Sequence, residues 1–300
     1  MSYVEAKEPV CAGRRGAIEL RVEPQEKNLG ELTVRRVLPS PDRQMIGPFI
    51  FFDHMGPAEF PPGKGIQVRP HPHIGIATIT YLFEGEIIHR DSLRFVQSIQ
   101  AGAVNLMTAG RGIVHSERAG EDLESYSKLH GIQSWIALPD GREEIEPAFE
   151  HHPASDLPEL DIEGVKVRVI VGEAYDHRSP VTSYSTTLYL ECHLPKGSVL
   201  DLPTVYRELG VYVVSGNVRI EHEEYLGGVM AIAAADKAVS LTALDASRVM
   251  VIGGDPVGRR HIWWNFVSSS KARMAKAKQD WQEGRFEMVP GDHEFIPLPE

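Results

Sequence analysis

What most constrains the fold of this chain is how its apolar residues are punctuated. Almost everywhere they alternate with polar ones or gather in short runs, as in AIELRV (17–22), LTVRRV (32–37), IATITYLF (76–83), EIIHRD (86–91), VKVRVIVG (165–172) and RVMVIGG (248–254). A two-residue period sends successive side chains to opposite faces of a strand. Between the runs stand Gly, Pro, Asp and Asn, the residues that make tight turns. The pattern predicts an all-β chain of antiparallel strands closed into sandwiches or barrels. One segment breaks it: KARMAKAKQDWQEG (271–284) has helical spacing, with cap candidates at Ser268–Ser270 and a stop at Gly284. Its Met274, Ala277 and Trp281 form one apolar stripe, read as a docking face.

The strand-rich sequence falls into two similar halves. YLFEGEIIH (81–89) and YVVSGNVRI (212–220) share a strand–Gly–strand pattern, and each is followed by a Gly-led strand, GAVNLMTA (102–109) and GGVMAIAA (227–234). A polar, Pro-bearing stretch at 143–164 separates them. This divides the chain into an N-terminal domain (1–142), a linker (143–164) and a C-terminal domain (165–300) that ends in the helix and a tail.

The N-terminal half carries a chemical signature that its counterpart lacks. His71 and His73 are two residues apart, so one strand face presents both, and Pro72 between them fits a strand entry or edge. His115 and Glu117 repeat the same step after a Gly-Arg-Gly turn. Two such pairs on neighbouring strands inside a barrel converge on one point. Three imidazoles and a carboxylate make a site for one divalent metal. Registering the halves on their turn glycines places Leu202, Thr204, Leu241 and Ala243 opposite these four residues, so the C-terminal copy is expected to hold no metal. His54 reads as a pocket group. The other histidines, His89 and His130 among them, have no partner pattern and read as structural or exposed.

Several function classes recede. The formal net charge of −11 disfavours sequence-independent binding to nucleic acid, which depends on neutralising phosphates. No apolar run is long enough to span a membrane, and the N-terminal residues lack the apolar core of a secretory signal. Two cysteines, Cys11 and Cys192, lie far apart, so a disulfide framework is not expected and a reducing, cytoplasmic setting is.

FFDHMGP (51–57), HPHIGIATITYLFEGEIIHRDS (71–92), MTAGRGIVHSE (107–117) and LHGIQSWIALP (129–139) resemble the pirin family of the cupin superfamily, most strongly from about residue 15 to 140. The second half is similar to the family's C-terminal domain through RELGVYVVSGNVRI and RVMVIGGDP. The resemblance implies a bicupin: two stacked antiparallel β-barrel (jelly-roll) domains in one chain, acting as a monomer. It also implies a metal in the N-terminal barrel on His71, His73, His115 and Glu117, usually Fe(2+). Mn, Ni, Cu, Co and Zn also suit such a ligand set. One position departs from the general cupin pattern: where a glutamate follows the paired histidines, this chain has Ala77, which neither ligates nor moves a proton.

Two functions compete. Some pirin-like proteins resemble quercetin 2,3-dioxygenases, which open flavonols with O2. On that reading Glu117 is the catalytic base, and Phe52, His54, Met55 and Met107 are candidates for the substrate wall. The alternative is a non-enzymatic, redox-sensing regulator that binds a transcription factor or metabolic enzyme. The size and openness of the pocket would separate the two.

Overall fold

The computed structural model describes residues 4–6, 16–28, 30, 32–120 and 124–299. The alternation becomes two copies of one architecture, each a seven-stranded sheet facing a four-stranded one. In the first copy the large sheet runs Ala148–His152, Val104–Thr108, Ile76–Glu84, Ser127–Ala137, Phe49–Phe60, Thr33–Leu38, Gln25–Asn28. Its small sheet runs Gln67–His73, Ile113–Ala119, Glu86–Asp91, Val96–Gln100. In the second copy the large sheet runs Ile18–Val22, Met230–Ala233, Glu208–Ser215, Ser247–Gly254, Thr187–Leu194, Val165–Val171, Glu159–Ile162. Val199–Asp201, Ser240–Ala243, Asn217–Ile220 and Glu223–Leu226 make its small sheet. The repeat is therefore matched strand for strand, and all pairings within these sheets are antiparallel.

The edge strands cross over. Ile18–Val22, early in the chain, pairs with Met230–Ala233 in the second copy. The stretch at 143–164, expected as a linker, contributes Ala148–His152 to the first large sheet and Glu159–Ile162 to the second. The second copy thus has one edge covered by a segment that lies next to the first copy in sequence.

Three apolar layers follow from the alternation. Val37, Phe49, Phe52, Ile79 and Tyr81 of the first large sheet pack against Ile170, Tyr189, Tyr212, Met230 and Ile252 of the second, which stacks the two barrels back to back. The second barrel is filled by its own residues, among them Leu202, Leu241 and Ala243, the registered counterparts of His71, His115 and Glu117. Thr204, the fourth counterpart, is exposed. The first barrel is lined rather than filled, with apolar clusters at its two ends.

The helix Lys271–Gln282 starts where its caps predict: Ser270 accepts from the Arg273 backbone N–H at 3.3 Å. Met274, Ala277 and Trp281 are buried and pack with Ile74, Trp263 and Phe266. This seats the hairpin of Arg260–Trp263 and Phe266–Ser268 against the first barrel behind His73. Gly75 permits the approach. It sits at φ +69°, and a Cβ there would lie 2.1 Å from the Val267 carbonyl oxygen. Gly75→Ala is expected to destabilise the protein by at least about 2 kcal/mol, since a positive φ and a backbone clash add; a denaturant melt that overlays the wild type would contradict this. Cys192 is buried and free, and Cys11 lies outside the described residues. No described helix is long and apolar enough to cross a membrane.

Candidate metal centre

His71 and His115 face each other directly on adjacent strands, and His73 follows on the same face two residues on. All three are buried, and they offer nitrogen atoms that lie within 4.8 Å of one another. The ring centroids are 4.4 Å apart for His71 and His115, and 5.0 Å apart for both pairs that include His73.

Backbone carbonyls fix two of the rings. His71 Nδ1 donates to Arg69 O at 2.9 Å, and His73 Nδ1 donates to Asn265 O at 3.1 Å. A carbonyl only accepts, so each Nδ1 carries the proton and each Nε2 is left with a lone pair, the arrangement that orients a metal-binding imidazole. His115 is buried with neither ring nitrogen hydrogen-bonded. An orphaned buried polar atom is costly, and a cation shared with its neighbours would satisfy it. The residues present therefore fit a metal. Burial, reinforced by the neighbouring rings, holds His71 down to about 4 and keeps His73 and His115 well below the usual imidazole range. All three are neutral at pH 7, as ligation requires.

Glu117 stands beside the triad rather than within the tight group. A register shift between His115 and Glu117 puts it opposite Val68, facing into the barrel. The residue is 8% exposed, and its carboxyl lies 3.5 Å from Thr80 Oγ1. Burial raises it to about 7, against the opposing effect of the Thr80 hydroxyl. His89, read from sequence as structural, packs its ring 5.3 Å from His115, stacks on Phe149, and hydrogen-bonds Asp91 at 2.9 Å.

His71, His73 and Glu117 open on a cavity of about 860 Å³. Its walls include Val34, Phe51, Met55, Val68, Trp135, Ile262, Trp263, Trp264 and Ile296. Such a size and apolar lining suit a small organic ligand. Of the four substrate-wall candidates, Met55 lines it. Phe52 and His54 do not: alternation along Phe49–Phe60 turns Phe51, Asp53 and Met55 into the cavity and Phe52 and His54 towards the second barrel. There His54 hydrogen-bonds Tyr212 Oη and His130 Nε2, both at 2.8 Å, and burial lowers it to about 2. Met107 is packed in an apolar cluster with Ile76, Ile113 and Trp135 rather than on the cavity surface. Phe51 and Trp135 belong to FFDHMGP and LHGIQSWIALP, whose local pattern gives neither a role. Trp263, Trp264, Asn265 and Ile296 come from the far end of the chain, and no local pattern tied them to the histidines.

In the second barrel the residues registered with the ligands are buried aliphatics and one exposed threonine. Elemental analysis is expected to find about one metal per chain; a second stoichiometric ion assigned to residues beyond 165 would contradict this.

The family model for pirin matches residues 31–136, and that for the pirin C-terminal cupin domain matches residues 189–287. A pirin-like protein of Caulobacter vibrioides is 48% identical over 94% of this chain and 100% of its own. A crystal structure of a quercetin 2,3-dioxygenase from Acinetobacter baumannii superposes with a TM-score of 0.88 at 32% identity, covering 94% of this chain and 95% of that one. A bacterial pirin from Escherichia coli, solved in complex with nickel(II), shares the fold with a TM-score of 0.62 at 21% identity, over 79% of this chain and 99% of that one.

Proposed function

The chain belongs to the pirin family, and from that premise we propose that it is a metal-dependent dioxygenase that opens quercetin-type flavonols with O2, at one iron(II) held by His71, His73, His115 and Glu117. The observation that carries the reading is the meeting of two features: neutral imidazoles with free inward lone pairs, and a large apolar cavity that opens onto them. When bound, the metal would supply a Lewis-acidic, redox-active centre that lowers the pKa of a coordinated hydroxyl.

The protein's own groups do the rest. The carbonyls of Arg69 and Asn265 hold two imidazoles in the ligating tautomer. Glu117 takes the proton of the flavonol 3-hydroxyl as general base, with Thr80 Oγ1 as its neighbour at 3.5 Å. Ala77 leaves that task to Glu117 alone. Phe51 and Trp135, stacked with centroids 4.1 Å apart, offer a flat wall for an aromatic ring, and the tryptophans of the C-terminal hairpin exclude water. The name of the Acinetobacter baumannii structure supports the same reaction class. A cytoplasmic monomer is the setting that this reading assumes.

A redox-sensing regulator would need the shielded triad but not the cavity, which is why the enzyme reading is preferred. Anaerobic loading with iron and the other candidate metals, followed by O2 uptake on a flavonol panel, tests it. Uptake matched by flavonol loss and carbon monoxide release is expected. No uptake with any metal or flavonol would favour the regulator.

A further inference from the structure

One level of the first large sheet is polar from strand to strand. Thr80, Gln133, Asp53 and Arg36 oppose one another in register across four adjacent strands. The flanking levels on the same face are apolar: Met55 beside Val34 on one side, Trp135 beside Phe51 on the other. Arg36, Asp53 and Gln133 all line the cavity, and Thr80 links the row to Glu117.

The row keeps hydrogen-bonding groups that the protein does not use. Arg36 Nε and Nη2 donate to Asp53 Oδ1 and Oδ2 at 2.8 and 2.7 Å. Arg36 Nη1 has no protein partner among the described residues, and each Asp53 oxygen retains a lone pair. Thr80 Oγ1 donates to Gln133 Oε1 at 2.7 Å, which leaves the Gln133 amide N–H groups to the cavity. Asp53 is only 2% exposed. Burying an ion pair in an apolar wall is seldom a gain in stability over well-packed hydrophobic side chains, so packing does not explain the row. Beside it, Arg36 lies 4.4 Å over the Phe51 ring, which stacks on Trp135 at an interplanar angle of 12°.

We propose that Arg36, Asp53 and Gln133 are the specificity-determining residues of this cavity, reading the ring hydroxyls of a planar polyphenol that lies against Phe51 and Trp135. A phenolic hydroxyl both donates and accepts. The row supplies the matching acceptor at Asp53 and donors at Arg36 Nη1 and Gln133 Nε2. A ring without hydroxyls would strip water from these groups and replace none of its hydrogen bonds, so the row selects against it. The inference rests on the flavonol reading and deepens it by assigning the recognition of hydroxyls away from the metal.

The test uses the full chain freed of metal by chelation, with the intrinsic fluorescence of Trp135, Trp263 and Trp264 as the readout. Quercetin is compared with 3-hydroxyflavone, which keeps the 3-hydroxyl and 4-keto oxygens but lacks the other hydroxyls. The wild type is expected to bind quercetin about tenfold more tightly or better, the yield of one or two net hydrogen bonds. Gln133→Met, which strands no charge, should narrow that ratio. The double variant Arg36→Met with Asp53→Leu, which removes both members of the pair, should bring it close to one. A preference that survives in the double variant overturns the proposal. So does a wild type that binds both compounds equally, an outcome that leaves the flavonol reading standing. A wild type that binds neither compound overturns this proposal and leaves the flavonol reading, which places the 3-hydroxyl on the metal, to the O2-uptake assay.

Discussion

His115→Ala is expected to abolish stoichiometric metal binding, with affinity falling by more than about 100-fold, the upper end of what losing even an outer-shell partner costs. His115 is the sharpest probe of the triad because no described residue hydrogen-bonds its ring nitrogens. It is 1% exposed, both ring nitrogens lack hydrogen bonds, and its surroundings hold it neutral. His71 and His73 each have a backbone carbonyl to lose, so their replacement would disturb local structure as well. Metal that binds only the folded state raises its stability by about 2.7 kcal/mol at a hundred times the dissociation constant. The wild type should therefore melt higher when metal is added after chelation, and the variant should not. Wild-type metal content in purified His115→Ala would sink the ligand assignment.

Glu117→Gln separates holding the metal from moving the proton. The amide keeps the shape and an oxygen donor but cannot act as a base. Turnover should fall by about 10²–10⁴-fold, the usual contribution of general-base catalysis, while metal content falls much less. The environment supports the distinction: the carboxyl stands outside the tight group of imidazole nitrogens, with burial raising its proton affinity and the Thr80 hydroxyl as its neighbour. Ala77 carries no group that could take over. A metal-loaded Glu117→Gln protein with near wild-type turnover would end the base role even if every ligand proved correct.

The sequence by itself determined the all-β class, the duplication and the three histidines that come together. Each of these is written in short-range pattern. A two-residue period sets the face, a glycine sets the turn, and the steps from His71 to His73 and from His115 to Glu117 need only antiparallel pairing to converge. The capped helix was legible for the same reason, since Ser270 and the stripe of Met274, Ala277 and Trp281 act within a few turns. Tertiary structure alone decided which face of Phe49–Phe60 looks into the cavity. Both faces of that strand are buried, one by the cavity and one by the second barrel, so its apolar run carries no sign of direction, and the wall candidates Phe52 and His54 face the second barrel. It also decided the crossing of Ile18–Val22 into the second large sheet, because strand pairing of that span depends on what edge is open in space. Asn265, which orients His73 from 192 positions away, and Trp263, Trp264 and Ile296, which wall the cavity, are brought there by the packing of the C-terminal hairpin and helix. The row of Arg36, Asp53 and Gln133 exists only in the register of three strands drawn from distant parts of the chain. Register is a property of the paired backbone, and no single segment of the sequence contains it.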